Sequence, residues 1–572
     1  MNLLDWAVLL GTMLGIAAYG TWRTRHTDNL NTYLKGNRNT GWLTIGLSVM
    51  ATQASTITYL SLPGQAYENG IAFIQNYFGL PLALILVCAV FLPIYRRLGV
   101  YTAYEYLGKR FDRKTRLLGA SLFLVQRGIQ SGVTIYAPAI ILSTVLGWRL
   151  DLTIVFTGLL AIVYTVTGGS AAVNLTQRWQ MAVIFGGMIT AFVVLLVKLP
   201  EGALGIAGAM GKLQAVDYTP DPQRRYTIWS GILGGFFLSL SYFGTDQSQV
   251  QRYIGGAALR EGRLGLMFNA LLKIPMQFFI VILGALLFVF YQLQPDTPVV
   301  FNQAHWQSMV QGPQGGTFRA LEQKHATLHA EWGEKIRAWA AASSSGDAAA
   351  EQAARAELRS AQAAAEGVRK EALAALQQAD PDSKKTRDSD YVFITFILGQ
   401  LPHGAVGLLI AVMFASALSS KAGELNALGT TSTIDLWRHF RPLAAHDEGR
   451  NVRNAKWFTG FWGLFAISFA LFVSFTENLI EALNIVASIF YPALLGVFVV
   501  AFFVKRVGGS AVFWGAVLAQ AVVIGVFIWG KYHPAQEIGY LWLNPIGCAS
   551  CVLFSIVLQA FLPRRDPAPD PV

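Results

Sequence analysis

The chain has 572 residues, of which 53% are apolar and only 13% are charged, and its mean hydropathy is +0.43. Apolar stretches repeatedly reach the roughly 20 residues that cross ~30 Å of bilayer hydrocarbon, which excludes a soluble globular protein and predicts an all-α polytopic membrane protein. The net charge of +11 does not indicate nucleic-acid binding, because the basic residues form short clusters between apolar stretches.

These apolar stretches predict about thirteen transmembrane helices. Basic clusters separate them, beginning with RTRH and KGNR within 23–38 and ending with PRRD at 563–566, and the clusters all fall on one side of the count. The positive-inside rule then predicts an external amino terminus and a cytoplasmic carboxyl terminus, in a multi-pass protein of the cell (inner) membrane. In chain order the predicted spans are 3–22, 42–62, 70–95, 117–146, 150–167, 179–198, 227–251, 264–292, 404–436, 456–476, 478–504, 508–529 and 541–562.

The second span contains a stretch that makes a poor membrane helix, ATQASTITYLSLPG at 51–64. Its hydroxyl and amide side chains are costly in lipid unless they face a bundle interior or a cavity. A helix broken at this depth frees backbone groups, of which the carbonyls suit a small hard cation and the N–H groups suit an anionic solute. We therefore expect an interrupted helix beside a binding site.

A second interrupted helix is expected at 227–251, where GILGGFFLSLSYFGTDQSQVQ combines paired glycines with Ser239, Ser241, Tyr242 and Asp246. Five spans counted from 42 and five counted from 227 then form two halves, each opened by an interrupted helix, as in an inverted repeat. The alternative is that the two stretches are unrelated polar packing helices.

One segment, 303–389, does not have the composition of a membrane span. It is rich in Ala, Glu, Lys and Arg with helical spacing, and SSSGD at 343–347 interrupts it. This pattern predicts a hairpin of two helices on the extracytoplasmic side. The insertion is either a solvated decoration or a docking or lid element for an unknown partner.

The three cysteines, Cys88, Cys548 and Cys551, lie in apolar stretches and do not indicate a disulfide framework. We interpret CASC at 548–551 as small packing residues in a helix. The alternative is a metal or redox pair.

Four segments combine Gly, Ser or Thr with charged or amide residues in an otherwise apolar chain, and a fifth is apolar. The four are YTVTGGSAAVNLTQRWQ at 164–180, DQSQVQRYIGGAALREGR at 246–263, ASALSSKAGELNALGTTSTIDLW at 415–437 and VQRGIQSGVTIYAPAIIL at 125–142, and the fifth is YPALLGVFVVAFF at 491–503. The segment at 125–142 is similar to the branch of monocarboxylate, iodide and vitamin carriers within the sodium:solute symporter family, and the other four resemble the signature segments of that family. The resemblance runs from about residue 28 to 505, with the insertion interrupting it. It implies a LeuT-like fold of five plus five helices, transport rather than enzymatic activity, and Na⁺ as the coupling ion.

By this resemblance, a sodium site lies between the interrupted second span and the ninth span. Carried over by motif, Ala51 and Ala54 provide main-chain carbonyls, Ser416 provides another, and Ser419 and Ser420 provide hydroxyls. An all-oxygen site without a carboxylate suits Na⁺, and we expect no transition metal. Considered alone, SALSS would be a small-residue packing motif.

Two departures from the family pattern bear on the ion. Gln177 stands where some family members have an aspartate associated with a further cation, so its presence argues against a second sodium ion. Lys421 and Glu424 interrupt a stretch that is usually small and hydroxyl-rich. Being three residues apart on one helix face, they can pair with each other, and we interpret them as structural.

Arg127 is the residue that suggests an acidic solute. It lies deep inside the span 117–146, too far from the basic flank to reach water easily, and its guanidinium fork suits a carboxylate. Sialic acid carriers of the family use an arginine on this helix for that purpose. The alternative is that Arg127 pairs with a structural carboxylate such as Asp246.

Other substrate contacts are implied by position in the sugar-binding relatives. Because sugar carriers have longer amide or acidic groups at several of these places, a hexose is poorly served. The implied contacts are Thr58, Ser239, Lys273 and Asn484, with Gln75 to Tyr77 lining the next helix and Tyr242 at the inner gate.

The sequence as a whole predicts a Na⁺-coupled symporter that imports a small organic solute by alternating access, with a monocarboxylate or sialic acid-like carboxylate as the expected solute and a monomer sufficient for transport. The alternatives are a symporter of a neutral solute (sugar, polyol or nucleobase) and a transporter-fold membrane sensor acting with a separate partner. The predicted division is 1–40 for the first helix and a cytoplasmic linker, 41–200 for the first repeat, 225–302 and 390–505 for the second, 303–389 for the insertion, and 506–572 for two further helices and a tail.

Overall fold

The computed structural model describes residues 1–23, 41–53, 55–254, 258–345, 347–380, 383, 386–440, 448–473 and 477–563. Side chains are not described at 16–23, 167–179, 344–345 and 448. Within these limits the chain forms helices and no strands, as the composition predicts.

The first half of the chain, up to the loop before the second interruption, is helical in its described residues apart from short connecting segments. Its elements are α1 (Leu3–Arg23), α2 (Trp42–Gln53), α3 (Thr56–Asn69), a 3₁₀ segment (Ile71–Tyr77), α4 (Leu80–Leu86), a π-helical turn (Val87–Phe91), α5 (Leu92–Leu98), α6 (Ala103–Arg110), α7 (Arg113–Thr134), α8 (Tyr136–Leu146), α9 (Leu150–Lys198) and α10 (Ala203–Ala209).

The second half contains the insertion and the remaining membrane helices. Its elements are a π-helical turn (Ser230–Gly234), α11 (Gly235–Thr245), α12 (Gln247–Ile254), α13 (Leu259–Leu293), α14 (Gln303–Val310), α15 (Gly315–Ser345), α16 (Ala348–Ala379), a 3₁₀ turn (Asp388–Tyr391), α17 (Val392–Gln400), α18 (Ala405–Thr431), a π-helical turn (Ser432–Trp437), α19 (Arg438–Phe440), α20 (Glu448–Phe472), α21 (Leu479–Phe503), α22 (Gly509–Tyr532), 3₁₀ turns (Pro534–Gln536 and Tyr540–Trp542) and α23 (Leu543–Gln559).

Both predicted interruptions are present. The first separates α2 from α3, where Ser55 has an extended backbone with φ −69° and ψ 172°. The second separates α11 from α12 at Asp246, whose ψ of 119° takes the chain out of the helix. Asp246 Oδ1 accepts hydrogen bonds from the backbone N–H (2.8 Å) and hydroxyl (2.6 Å) of Ser248. An aspartate at this position caps the first turn of the following helix, so the second break falls at the acid rather than at the paired glycines.

The count of membrane spans is close to the predicted one. Nine helices in the described part of the chain are long and apolar enough to cross a membrane, and two shorter apolar helices cover Leu3–Gly15 and Leu150–Val166. The two remaining predicted spans are the interrupted ones, whose halves are each too short to be counted. The total of thirteen stays a prediction.

Two predicted spans, 150–167 and 179–198, appear as the single element α9 of 49 residues. A straight helix of this length would be about 73 Å long, more than twice the hydrocarbon thickness. Yet both of its apolar segments lie against the same part of α18, because Ala161 clusters with Leu418 and Gln180 accepts a hydrogen bond from Ser419. Contact of both segments with the same part of α18 is what two separate membrane crossings, 150–167 and 179–198, would require.

The insertion forms the predicted helical hairpin. Two ion pairs show that α15 and α16 are antiparallel. Lys335 Nζ lies 2.7 Å from Glu357, and Lys324 Nζ lies 3.0 Å from Glu371. The turn between the helices falls within SSSGD, and the carboxylate of Asp347 caps α16 by accepting from the N–H of Ala349.

Cysteine side chains are buried in the helix bundle. Cys551 lies so close to Gly496 that a Cβ at the glycine would be 2.4 Å from the Cys551 Cβ. This contact joins α21 to α23 and fits the packing interpretation of CASC. Within the described ranges, no group of three His, Cys, Asp or Glu side chains is placed to hold a metal ion.

Candidate ion and substrate site

The residues proposed for sodium meet where α2 ends beside α18. The Ser420 hydroxyl lies 3.3 Å from the Ala51 carbonyl oxygen, which is freed by the end of α2. The Ser419 hydroxyl donates to the Ser416 carbonyl at 3.1 Å. All four residues are buried. Ala54, the fifth member of the predicted set, lies outside the described residues.

A further oxygen belongs to this cluster that the sequence reasoning missed. The Oε1 atom of Gln180 on α9 lies 2.9 Å from the Ser419 hydroxyl, and Gln180 is 2% exposed. Gln180 is the last residue of the motif at 164–180, in which only Gln177, whose side chain is not described, was considered for an ion. Carbonyls, hydroxyls and an amide oxygen, with no carboxylate, make a donor set that suits a monovalent hard cation.

A cavity of about 110 Å³ lies beside both helix interruptions. Of the predicted substrate residues, Arg127, Ser239, Lys273 and Asn484 line it, together with Tyr242. Three buried polar atoms of its lining have no hydrogen-bond partner among the described residues, namely Gln53 Oε1, Asn76 Oδ1 and Asn484 Nδ2.

Two predicted substrate residues do not line this cavity. The Thr58 hydroxyl lies 3.4 Å from the Gln53 carbonyl, across the first interruption. The Gln75 amide donates to the Tyr226 carbonyl at 3.1 Å, and its oxygen accepts from the Asp217 N–H at 3.1 Å, so it anchors the loop before α11. Both side chains therefore support the frame of the site instead of facing a solute.

Arg127 is engaged by carboxylates of the protein itself. Its guanidinium forms a close ion pair with Asp246 and lies 3.5 Å from Glu424, and it donates to the Tyr491 hydroxyl at 3.0 Å. The side chain is 4% exposed. The alternative to substrate binding, pairing with Asp246, is thus the arrangement in this structure, and Glu424 adds a second acid that the sequence reasoning did not connect to Arg127.

Lys421 and Glu424 form the predicted pair on α18, with Nζ and Oε2 3.7 Å apart. The Lys421 ammonium also contacts the Ser131 carbonyl and donates to the Ser131 hydroxyl at 3.0 Å and the Thr134 hydroxyl at 2.5 Å. Every donor of this ammonium has an oxygen partner, as a buried charge requires.

Lys273 is the buried cation that lacks such partners. It is 1% exposed, and its Nζ lies 5.4 Å from the centroid of the Tyr77 ring. No described carboxylate forms an ion pair with it, and it makes no hydrogen bond to a described residue. An ammonium held in this way at membrane depth is costly unless an anion joins it.

The acids near the cavity are already engaged by two of its cations. Arg127 pairs with Asp246 and Glu424, and Lys421 pairs with Glu424. Lys273 lines the cavity without an acid at ion-pairing distance among the described residues.

Two sets of polar contacts lie on either side of the cavity. At the end that carries the hairpin, Arg225 pairs with Glu477 at 2.8 Å and Glu481 at 3.4 Å, and Asn478 donates to Asp390 at 2.8 Å. The Arg225 guanidinium holds the pKa of Glu477 below its usual value. At the other end, Tyr242 accepts a hydrogen bond from Gln249 of α12 at 2.7 Å, next to the Arg127 and Asp246 pair.

Comparison with known sequences places these features in one group of proteins. The profile of the sodium:solute symporter family matches residues 33–300 and 370–519, well over half of the chain. The human sodium/iodide cotransporter is 34% identical over 261 residues, and the human sodium-coupled monocarboxylate transporter 1 is 33% identical over 272 residues. These alignments cover 45% and 46% of this chain, but only 41% and 44% of the relatives. The chain thus spans less than half the length of the curated relatives it matches.

Comparison of structures extends over the whole chain. A Na⁺-coupled sialic acid symporter, solved in a substrate-bound outward-open state, superposes with a TM-score of 0.72 and covers 99% of this chain and 100% of its own. The identity is 21%, so the likeness concerns the fold. The LeuT-like architecture expected from the sequence is confirmed.

Proposed function

Because the chain belongs to the sodium:solute symporter family, we propose that it imports a small organic carboxylate together with Na⁺, as a secondary active symporter working by alternating access. The observation that supports an acidic solute is the unpaired Lys273 ammonium in the wall of the central cavity. A monocarboxylate bound there would supply the acid partner that Lys273 lacks.

This proposal moves the carboxylate partner from Arg127 to Lys273. Arg127 is already held by Asp246 and Glu424, so a substrate would have to displace a buried ion pair to reach it. Lys273 has no such competitor. Ser239 and Asn484, which also face the cavity, offer a hydroxyl and an unsatisfied amide N–H for the solute's polar groups.

For the ion, we propose the oxygens of Ala51, Ala54, Ser416, Ser419 and Ser420. The approach of the Ser420 hydroxyl to the Ala51 carbonyl supports this assignment, since one belongs to α18 and the other to the broken end of α2. An ion bound between the two would hold α2 against α18. Solute and ion would then be coupled because both depend on the position of the same interrupted helix.

Alternating access would open one of the two sets of polar contacts at a time. The contacts of Arg225 and Asp390 join the hairpin end of the bundle to the start of α21, and those of Arg127 and Tyr242 join α7 and α11 to α12 and α21. Each set consists of hydrogen bonds and ion pairs that can exchange with water when its side opens. Following the positive-inside rule, we place the hairpin end outside the cell (inner) membrane, with the carboxyl terminus in the cytoplasm.

Uptake into proteoliposomes tests the proposal. We expect accumulation of a labelled monocarboxylate with an inward Na⁺ gradient and none when K⁺ replaces Na⁺. Na⁺-dependent uptake of a sugar, polyol or nucleobase in place of acids would establish the neutral-solute alternative. Na⁺-dependent binding without accumulation of any solute would favour a membrane sensor that acts with a separate partner.

A further inference from the structure

A second cavity lies far from the central one, between the hairpin and the ends of the membrane helices. Its volume is about 280 Å³. One wall is provided by α15 and α16, and the other by the end of α3, the end of α13 and the loop after α10. The insertion therefore provides one wall of this compartment.

The charged side chains that line this compartment are mainly basic. Lys212, Arg369, Lys370 and Arg387 face two acids, Glu68 and Glu366, which leaves an excess of two positive charges in the lining. Two acids outside the lining offset part of this charge, since Arg369 is paired with Asp388 at 2.5 Å and Arg387 lies 3.9 Å from Glu477. Lys212 and Lys370 are the lining cations without an acid at ion-pairing distance in the described structure.

Lys212 is held in the wall without an acid at ion-pairing distance in the described structure. Its ammonium donates to the carbonyl oxygens of Tyr67 at 2.9 Å and Glu68 at 2.6 Å. Burial lowers the pKa of Lys212 to about 8, so it stays mostly charged at neutral pH. The ammonium therefore lines the compartment while its hydrogen bonds go to backbone carbonyl oxygens.

The rest of the lining is aromatic. Phe288 and Trp332 are in edge contact, with ring centroids 6.3 Å apart, and Lys212 Nζ lies 4.3 Å above the Phe288 ring. His325 and His329 stack with centroids 5.2 Å apart. Burial lowers the pKa of His325 to about 4, and that of His329 also falls, so both imidazoles are neutral at physiological pH and present their ring faces without charge.

We propose that the compartment beneath the hairpin binds a small organic anion, specifically a carboxylate carried on an aromatic or apolar body. The basic side chains would neutralise the carboxylate, and the aromatic walls would cover the body. This site lies outside the central cavity and contains none of the residues proposed for Na⁺. It is therefore expected to bind its ligand without sodium.

Equilibrium dialysis of radiolabelled benzoate against the full-length protein in nanodiscs, in Na⁺-free buffer, tests this site apart from transport. We expect one saturable site per chain. The double variant Lys370→Gln/Arg387→Gln should weaken binding at least tenfold, whereas Lys335→Gln, which removes an exposed lysine of the same hairpin, should leave it unchanged. Glu366→Gln, which removes an acid of the lining and raises its positive excess, should strengthen binding about threefold.

Several results would overturn the proposal. These are absence of saturable Na⁺-free binding in the wild type, unchanged affinity in Glu366→Gln, or equal losses in Lys335→Gln and a folded double variant. Displacement of benzoate by inorganic phosphate at equal concentration would show a general anion site without a role for the aromatic walls. Because transport is not measured, the outcome does not depend on the symporter function.

Discussion

Replacing Lys273 by Gln separates the proposed roles of the buried cations. Lys273 is 1% exposed and has no acid partner among the described residues, so the change leaves no carboxylate unpaired. Because an unpaired buried ion costs several kcal/mol, the unliganded Lys273→Gln protein should be as stable as the wild type or more stable.

The affinity for the acid should fall in Lys273→Gln, although the stability of the unliganded protein does not. A buried carboxylate deprived of its cation loses about 3 to 5 kcal/mol. Since each 1.4 kcal/mol is a factor of ten, the affinity for a monocarboxylate should fall about 10²- to 4 × 10³-fold. The affinity for the matching neutral amide should change less than about threefold, because the amide carries no charge that the variant would leave unpaired in the cavity.

The chain offers matched controls at similar depth. Lys421→Gln removes an ammonium that contacts Glu424, Ser131 and Thr134, and should lower the free energy of unfolding by about 3 kcal/mol. Arg127→Gln would leave both Asp246 and Glu424 without their shared cation. It should therefore reduce the amount of folded protein and affect acid and amide alike.

Thermal unfolding in nanodiscs and binding of the acid and the amide measure these effects. Our reasoning would be refuted if Lys273→Gln weakened acid and amide equally while remaining folded. It would also be refuted if Arg127→Gln stayed folded and lost the acid selectively, since Arg127 would then be the carboxylate partner despite its internal ion pairs.

Three further predictions concern the ion, the hairpin and the membrane potential. Ser420→Ala should raise the Na⁺ concentration for half-maximal uptake by about 10- to 100-fold, whereas Ser416→Ala, which keeps the carbonyl, should not; equal values for the two variants would remove the Ser420 hydroxyl from the site. Replacing 318–380 with a short Gly/Ser linker should leave transport largely intact and abolish Na⁺-free benzoate binding, and a folded deletion without uptake would contradict this. One Na⁺ carried with one monocarboxylate moves no net charge, so uptake in vesicles clamped with valinomycin and K⁺ should be nearly independent of the membrane potential. By comparison, transport of one uncompensated charge would gain ~2.3 kcal/mol per 100 mV. Strong stimulation of uptake by a negative interior would mean further sodium ions or a neutral solute.

The position of the first interruption was predictable from local chemistry. Hydroxyl and amide side chains at 51–64 are unfavourable in lipid, and the helix ends within that stretch, before Ser55. The second interruption was predicted to within the span but not to the residue. The paired glycines and Asp246 were named together as features of this span, and the break is at Asp246, because its carboxylate can cap the next helix.

The charge pairing was predictable only in part, since the sequence offered Asp246 as an alternative partner of Arg127 and paired Lys421 with Glu424, but did not connect Glu424 to Arg127. Arg127 is separated from Asp246 by 119 residues and from Glu424 by 297 residues, and only the crossing of α7, α11 and α18 brings them together. Lys273 was named through resemblance to relatives, without a chemical reason. Its distinguishing property is the absence of an acid nearby, which is a property of the packed structure.

The two oxygens of Asp246 have different partners, and this division has a mechanical consequence. Oδ1 accepts from Ser248, two residues along the chain, and so fixes the start of α12. Oδ2 accepts from Arg127 and, at 2.6 Å, from Tyr491 on other helices. The Oδ1 contacts do not depend on the Oδ2 contacts, so a movement of α12 away from α7 and α21 would break the Oδ2 contacts and leave the first turn of α12 capped. One carboxylate thereby both caps the start of α12 and joins it to α7 and α21.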